Sequence, residues 1–94
     1  MSDSAPTPPP RKAAVALRYD RGADAAPVIV AAGKGRIAEK IEERARLHGV
    51  PVKEEGALAN ALVTLDVGQE IPPELYKAVA EVLAFVYRLQ ADQR

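Results

Sequence analysis

The chain has 94 residues, room for one small domain. Its 13 Lys+Arg balance 13 Asp+Glu, which argues against nucleic acid or an anionic membrane surface as the main partner, since both need a concentrated positive field. There is no cysteine, which excludes disulfides and thiolate metal sites; no signal-peptide core opens the sequence, and no apolar run approaches the roughly 20 residues of a membrane span.

Residues 1–12 read as a disordered, proline-rich leader, because Ser2-Asp3-Ser4-Ala5-Pro6-Thr7-Pro8-Pro9-Pro10 has little to bury. A domain is expected over residues 13–90, with residues 91–94 as a frayed tail. Ala14 to Tyr19 alternates, with Val15, Leu17 and Tyr19 on one face, the pattern of a strand. Asp20 to Asp24 is a turn. Pro27 opens Val28-Ile29-Val30-Ala31-Ala32, a continuous apolar run that predicts a strand covered on both sides.

Gly33-Lys34-Gly35 leads into a helix predicted over about Arg36 to His48, where Ile37, Ile41, Ala45 and His48 follow helical spacing and Ala38 lies beside them. Glu42 and Arg46 form a favourable i,i+4 pair, and Gly49 stands where a left-handed C-terminal cap is wanted. Val50-Pro51-Val52-Lys53-Glu54 reads as a short third strand, which would complete a βαβ unit with the second and third strands parallel. A short helix is predicted over Ala57 to Asp66, with Leu58, Leu62 and Leu65 on one side, and Gly68 ends it. Pro73 suits the first turn of the last helix. There Leu75, Val79, Val82, Leu83 and Val86 make a buried stripe that Tyr76 and Phe85 widen. The expected fold is α/β: a small mixed three-stranded sheet, with the βαβ helix and two C-terminal helices packed on it.

Little catalytic chemistry is visible. His48 is the only histidine, and at a helix end it reads as a surface or capping residue rather than a ligand or base; a metal site would need several convergent donors. Glu54 and Glu55 are adjacent and need not face each other, so a solvated loop is the simpler reading. Ser2 and Ser4 lie in the leader, away from any base. Val30 to Gly35 has the outline of a strand, a glycine turn and a helix N-terminus, an arrangement that can cradle phosphate. The full Walker spacing and the three-glycine dinucleotide fingerprint are both missing, so a structural turn is the first reading and a phosphate- or nucleotide-binding domain using Gly33-Lys34-Gly35 is the alternative. No enzyme activity, no metal and no cofactor are expected.

Several segments stand in the order and spacing of one family. They are Ala14-Val15-Ala16-Leu17-Arg18-Tyr19-Asp20, Ala26-Pro27-Val28-Ile29-Val30-Ala31-Ala32-Gly33, Gly49-Val50-Pro51-Val52, Val67-Gly68-Gln69-Glu70-Ile71-Pro72, and Leu75-Tyr76 with Ala78 to Tyr87. Across residues 13 to 89 the chain resembles the cytoplasmic C-terminal domain of the FlhB/YscU/SpaS type III export-switch family. Family members carry an Asn-Pro-Thr-His motif just before the first of these segments, where the asparagine side chain cyclises and cuts the chain before proline. The matching positions here are Pro9-Pro10-Arg11-Lys12. Only Pro10 coincides, and Pro9 has no side-chain amide, so that cleavage is not expected.

The resemblance implies a non-enzymatic accessory module of flagellar type III protein export, similar to a free-standing copy of the post-cleavage C-terminal fragment. Its implied place is cytoplasmic, peripheral at the export apparatus, without direct membrane insertion. Its implied partners are export-apparatus proteins, among them the membrane-bound half of an FlhB-type protein, and export substrates. The family's substrate-docking patch falls on Ala26, Pro27, Ala80 and Leu83, where small Ala26 and Ala80 would leave a depression walled by Pro27 and Leu83; ordinary core is the competing reading. If a strand normally pairs with Ala14 to Tyr19, its absence leaves an edge that can recruit one.

Overall fold

The computed structural model describes residues 12–92 of the chain. The expected leader lies outside the described residues except for Lys12, as do Gln93 and Arg94 of the tail. The elements in order are β1 (Ala13–Arg18), β2 (Val28–Lys34), α1 (Arg36–Leu47), α2 (Gly56–Leu62), a 3-10 turn (Pro73–Leu75) and α3 (Tyr76–Asp92).

β1 and β2 pair antiparallel, from Ala13 opposite Lys34 to Arg18 opposite Val28. The register shifts between Ala16 and Leu17, which face Ala31 and Ile29 respectively, so Val30 is a bulged residue without a partner. The bulge re-phases the strand. Ile29 and Ala32, three apart, both reach the core, each opposite a β1 residue that packs there as well, Leu17 and Val15. Val30 is turned out and 44% exposed, so the apolar run of β2 is open to solvent at that residue, while α1 packs on the strand elsewhere.

The core lies on that face. Ile29, Leu62, Ile71 and Val79 are its buried centre, with Leu58, Leu65, Leu75 and Leu83 packed against them. Each such side chain contributes about 1.5–3 kcal/mol by leaving water. α2 stops at Leu62, four residues short of the predicted end, where the Thr64 hydroxyl donates to the Ala61 carbonyl and the Leu65 amide to the Leu62 carbonyl. Leu65 still joins the core through the turn.

α1 contacts both strands. Ala14 lies on the sheet face opposite to Val15, because neighbouring residues of a strand alternate, and it is buried, as is Ala38 of α1. A methyl group on Gly33 would overlap the Ile37 side chain, so Gly33 is what allows this approach. Ile37 is 58% exposed and Ala38 fully buried, so Ala38 rather than Ile37 anchors the helix. The helix ends in a Schellman arrangement: Gly49 at φ 70° donates to the Arg46 carbonyl and Val50 to the Ala45 carbonyl. His48 is the exposed C-cap residue. Glu42 pairs with Arg46 at 3.6 Å as the spacing predicts, and also with Lys12 at 2.8 Å.

The predicted third strand, parallel sheet and βαβ unit are not found among the described residues: residues 50–54 form no strand, and the described sheet has two strands. The Val50 amide is spent on the helix cap and Pro51 has no amide to give. The second edge of β2 is taken instead by residues 68–71. Gly68 donates to the Ile29 carbonyl at 2.7 Å, Ile29 donates to the Gln69 carbonyl at 3.0 Å, and Ile71 donates to the Pro27 carbonyl at 2.9 Å. Glu70 forms an antiparallel bridge with Val28. Lys53, in the segment read as a strand, lies 4.8 Å from the Phe85 ring centroid and covers that side of α3.

Candidate functional site: an apolar depression beside the last helix

The loop from β1 to β2 is built by two aspartates. The Asp20 carboxylate accepts the Gly22 amide at 3.0 Å, and the Asp20 carbonyl accepts the amides of Ala23 and Asp24. The Asp24 carboxylate takes both Arg18 donors, Nε at 3.2 Å and a terminal nitrogen at 3.1 Å, and also the Asp20 amide at 2.9 Å. Hydrogen bonding to Arg18, then to the Asp20 amide, holds the Asp24 carboxyl below its ordinary value of 3.8. The same pairing raises Arg18.

This loop delivers Ala25, Ala26 and Pro27 to the start of β2, where Pro27 is pinned by the Ile71 amide. Ile71 and Val79 lie beneath, 2% and 1% exposed. The result is a depression of about 210 Å³ between the loop and α3. Tyr19, Ala25, Ala26 and Pro27 line one side; Tyr76, Ala80 and Leu83 line the other; Ile71 and Val79 also border it. None of the nine is charged.

All four sequence-predicted site residues border this one depression. Their burial differs. Ala26 and Pro27 are buried, Leu83 is partly buried against the core, and Ala80 is exposed. Sequence reasoning missed Tyr19, Ala25 and Ile71, and took Tyr76 and Val79 only as members of the buried stripe. Tyr76, Ala80 and Leu83 recur at helical spacing, a signal that was available; the approach of Ile71 to Pro27 was not, since it depends on pairing across the whole domain.

The Gly33-Lys34-Gly35 turn is otherwise engaged. Gly33 and Lys34 belong to β2, with Lys34 opposite Ala13, and the Gly35 amide donates to the Lys12 carbonyl at 2.8 Å. Gly33 serves close packing rather than phosphate approach, so the nucleotide-binding alternative is not favoured. The residues matching the cleavage motif, Pro9-Pro10-Arg11-Lys12, lie outside the described residues except Lys12. No helix among the described residues is long and apolar enough to cross a membrane.

Among the described residues, two strands and three helices, with an apolar depression between the β1–β2 loop and α3, define a small α/β domain. The profile of the FlhB HrpN YscU SpaS family matches residues 9–86, and the chain belongs to that family. It is 50% identical over 78 residues to the flagellar biosynthetic protein FlhB of Aquifex aeolicus, covering 82% of this chain and 22% of that one. It is 42% identical over 80 residues to the uncharacterized protein YlqH of Bacillus subtilis, covering 85% of this chain and 86% of that one. The crystal structure of the cytoplasmic domain of FlhB from Shewanella putrefaciens superposes with a TM-score of 0.83 at 40% identity, over 87% of this chain and 64% of that one. The chain thus spans about a fifth of the length of the Aquifex FlhB and most of the length of YlqH.

Proposed function

We propose that the chain is a non-enzymatic module of type III protein export, acting in the cytoplasm at the export apparatus and binding export components or substrates in the depression beside α3. The observation that carries this reading is the convergence of Ala26, Pro27, Ala80 and Leu83 on one uncharged concavity. Membership of the FlhB family supports the export setting. A concavity with small residues in it and apolar walls suits insertion of an apolar side chain from a partner. The arrangement of Pro9-Pro10-Arg11-Lys12 supports a module that does not cut itself, because cyclisation needs a side-chain amide.

Among the described residues β1 has no strand on its outer side. That edge offers a second contact, by strand addition, to the membrane-bound half of an FlhB-type protein. Co-expression with an FlhB truncated at its cleavage point tests the reading: co-purification and restored secretion are expected, and the absence of both overturns it. Ala80→Asp places a charge in the exposed part of the depression and is expected to abolish the restored secretion while the domain stays folded by circular dichroism.

A further inference from the structure

We infer that the docking surface is a two-part groove, in which Arg21 and Tyr87 form a second subsite for a carboxylate, so that its preferred occupant is a partner peptide presenting an apolar and an acidic side chain about 10 Å apart. The inference rests on the docking reading above and deepens it.

Tyr76, Ala80 and Leu83 stand four and three residues apart on α3, and Tyr87 follows four further on, so all four fall on one helical stripe. The seven residues from Ala80 to Tyr87 span about 10 Å at 1.5 Å per residue. The stripe is open to solvent at both ends, with Tyr76 46% and Tyr87 39% exposed. The opposite bank is the β1–β2 loop, which meets the stripe twice. Tyr19, Ala25 and Ala26 border the depression, and the Arg21 guanidinium lies 5.0 Å from the centroid of the Tyr87 ring.

The charges beside the groove lean basic. Its lining is neutral. Arg18 is already forked onto Asp24, whereas Arg21 makes no ion pair among the described residues. One step round α3 from the stripe come Lys77, Glu81 and Arg88, so with Arg21 and Asp20 of the loop three cations stand near it against two anions, and Arg21 is the cation held at the stripe itself, on the Tyr87 ring. A guanidinium resting on an aromatic face keeps its edge donors free in a fixed plane, which suits a carboxylate. The Arg21 guanidinium on Tyr87 therefore selects an acidic neighbour to the apolar anchor.

The test is an NMR titration of the full chain with two short peptides that differ only in carrying Leu-Pro-Pro-Asp or Leu-Pro-Pro-Lys, whose polyproline II backbone sets residues three apart on one face at about 9 Å. The aspartate peptide is expected to move the amide signals of Arg21, Ala80, Leu83 and Tyr87, and to bind about two- to fivefold tighter than the lysine peptide, the size of one exposed charge contact. Arg21→Glu is expected to reverse the preference and Arg21→Gln to erase it. Equal binding of the two peptides, or a preference that survives both substitutions, overturns the second subsite. If Ala80→Asp then still abolishes binding, the docking reading stands without it. If neither peptide shifts any signal of the wild-type chain, both readings fall.

Discussion

Gly33 shows how much of the packing hangs on single atoms. Its missing side chain is what lets α1 lie against the sheet, because a methyl group there would meet Ile37 at its branched carbon, which cannot swing away. Gly33→Ala is expected to lower stability by about 1–3 kcal/mol in urea unfolding, as overpacking does, and adding Ile37→Ala should recover part of the loss. Asp24 gives a prediction with a pH sign. Its carboxyl is lowered in the folded chain, so its stabilising contribution is complete above the ordinary value of 3.8 and is lost as pH falls below that value through the lowered one. The thermal midpoint should therefore drop in that window, and Asp24→Asn should flatten the drop. The Arg18–Asp24 fork spans a loop and leaves no periodic trace, so this part of the site's support was not legible in the sequence.

At the scale of elements, regular periodicity was legible and long-range pairing was not. β1, β2, α1 and α3 are near their predicted places because each carries its own pattern or cap. The third strand failed for a physical reason. Val50-Pro51-Val52 looks like a strand locally, but its first amide closes α1 and its proline has none. The segment that does line β2 is Gly68-Gln69-Glu70-Ile71, whose residue types rank low as strand formers except for Ile71. It works because Gly68, at φ 93°, turns the chain so that consecutive backbone groups meet Ile29. Gly68→Ala should cost about 1–2 kcal/mol from the left-handed backbone alone. Gly49→Ala, at φ 70° with open space around it, gives a comparison in which only the cap is perturbed; thermal unfolding of the two variants measures both.

At the scale of the molecule, one cluster among the described residues holds α2, α3 and one face of the sheet, with Ile29 fully buried. Ile29→Ala is expected to cost about 2–5 kcal/mol, enough to unfold much of a domain of this size. With one core, far-ultraviolet circular dichroism and tyrosine fluorescence should report the same unfolding midpoint; separate midpoints would show two independent units. The candidate site was legible only through family resemblance, since Ala26-Pro27 and Ala80-Leu83 carry no pattern linking them. The bond that brings them together, from Ile71 to Pro27, belongs to the same long-range pairing as the hidden edge of the sheet.

That pairing also sets a timetable. Ile29 and its partner Gln69 are separated by about forty residues of chain, a span a ribosome covers in roughly 2–8 s. During that interval the β1–β2 hairpin and α1 have been synthesised, while Ile71, α3 and the carbonyl of Gln69 have not. The newborn hairpin therefore waits with Ile29 uncovered and one edge of β2 unsatisfied, and only the last third of the chain ends its exposure to other nascent strands.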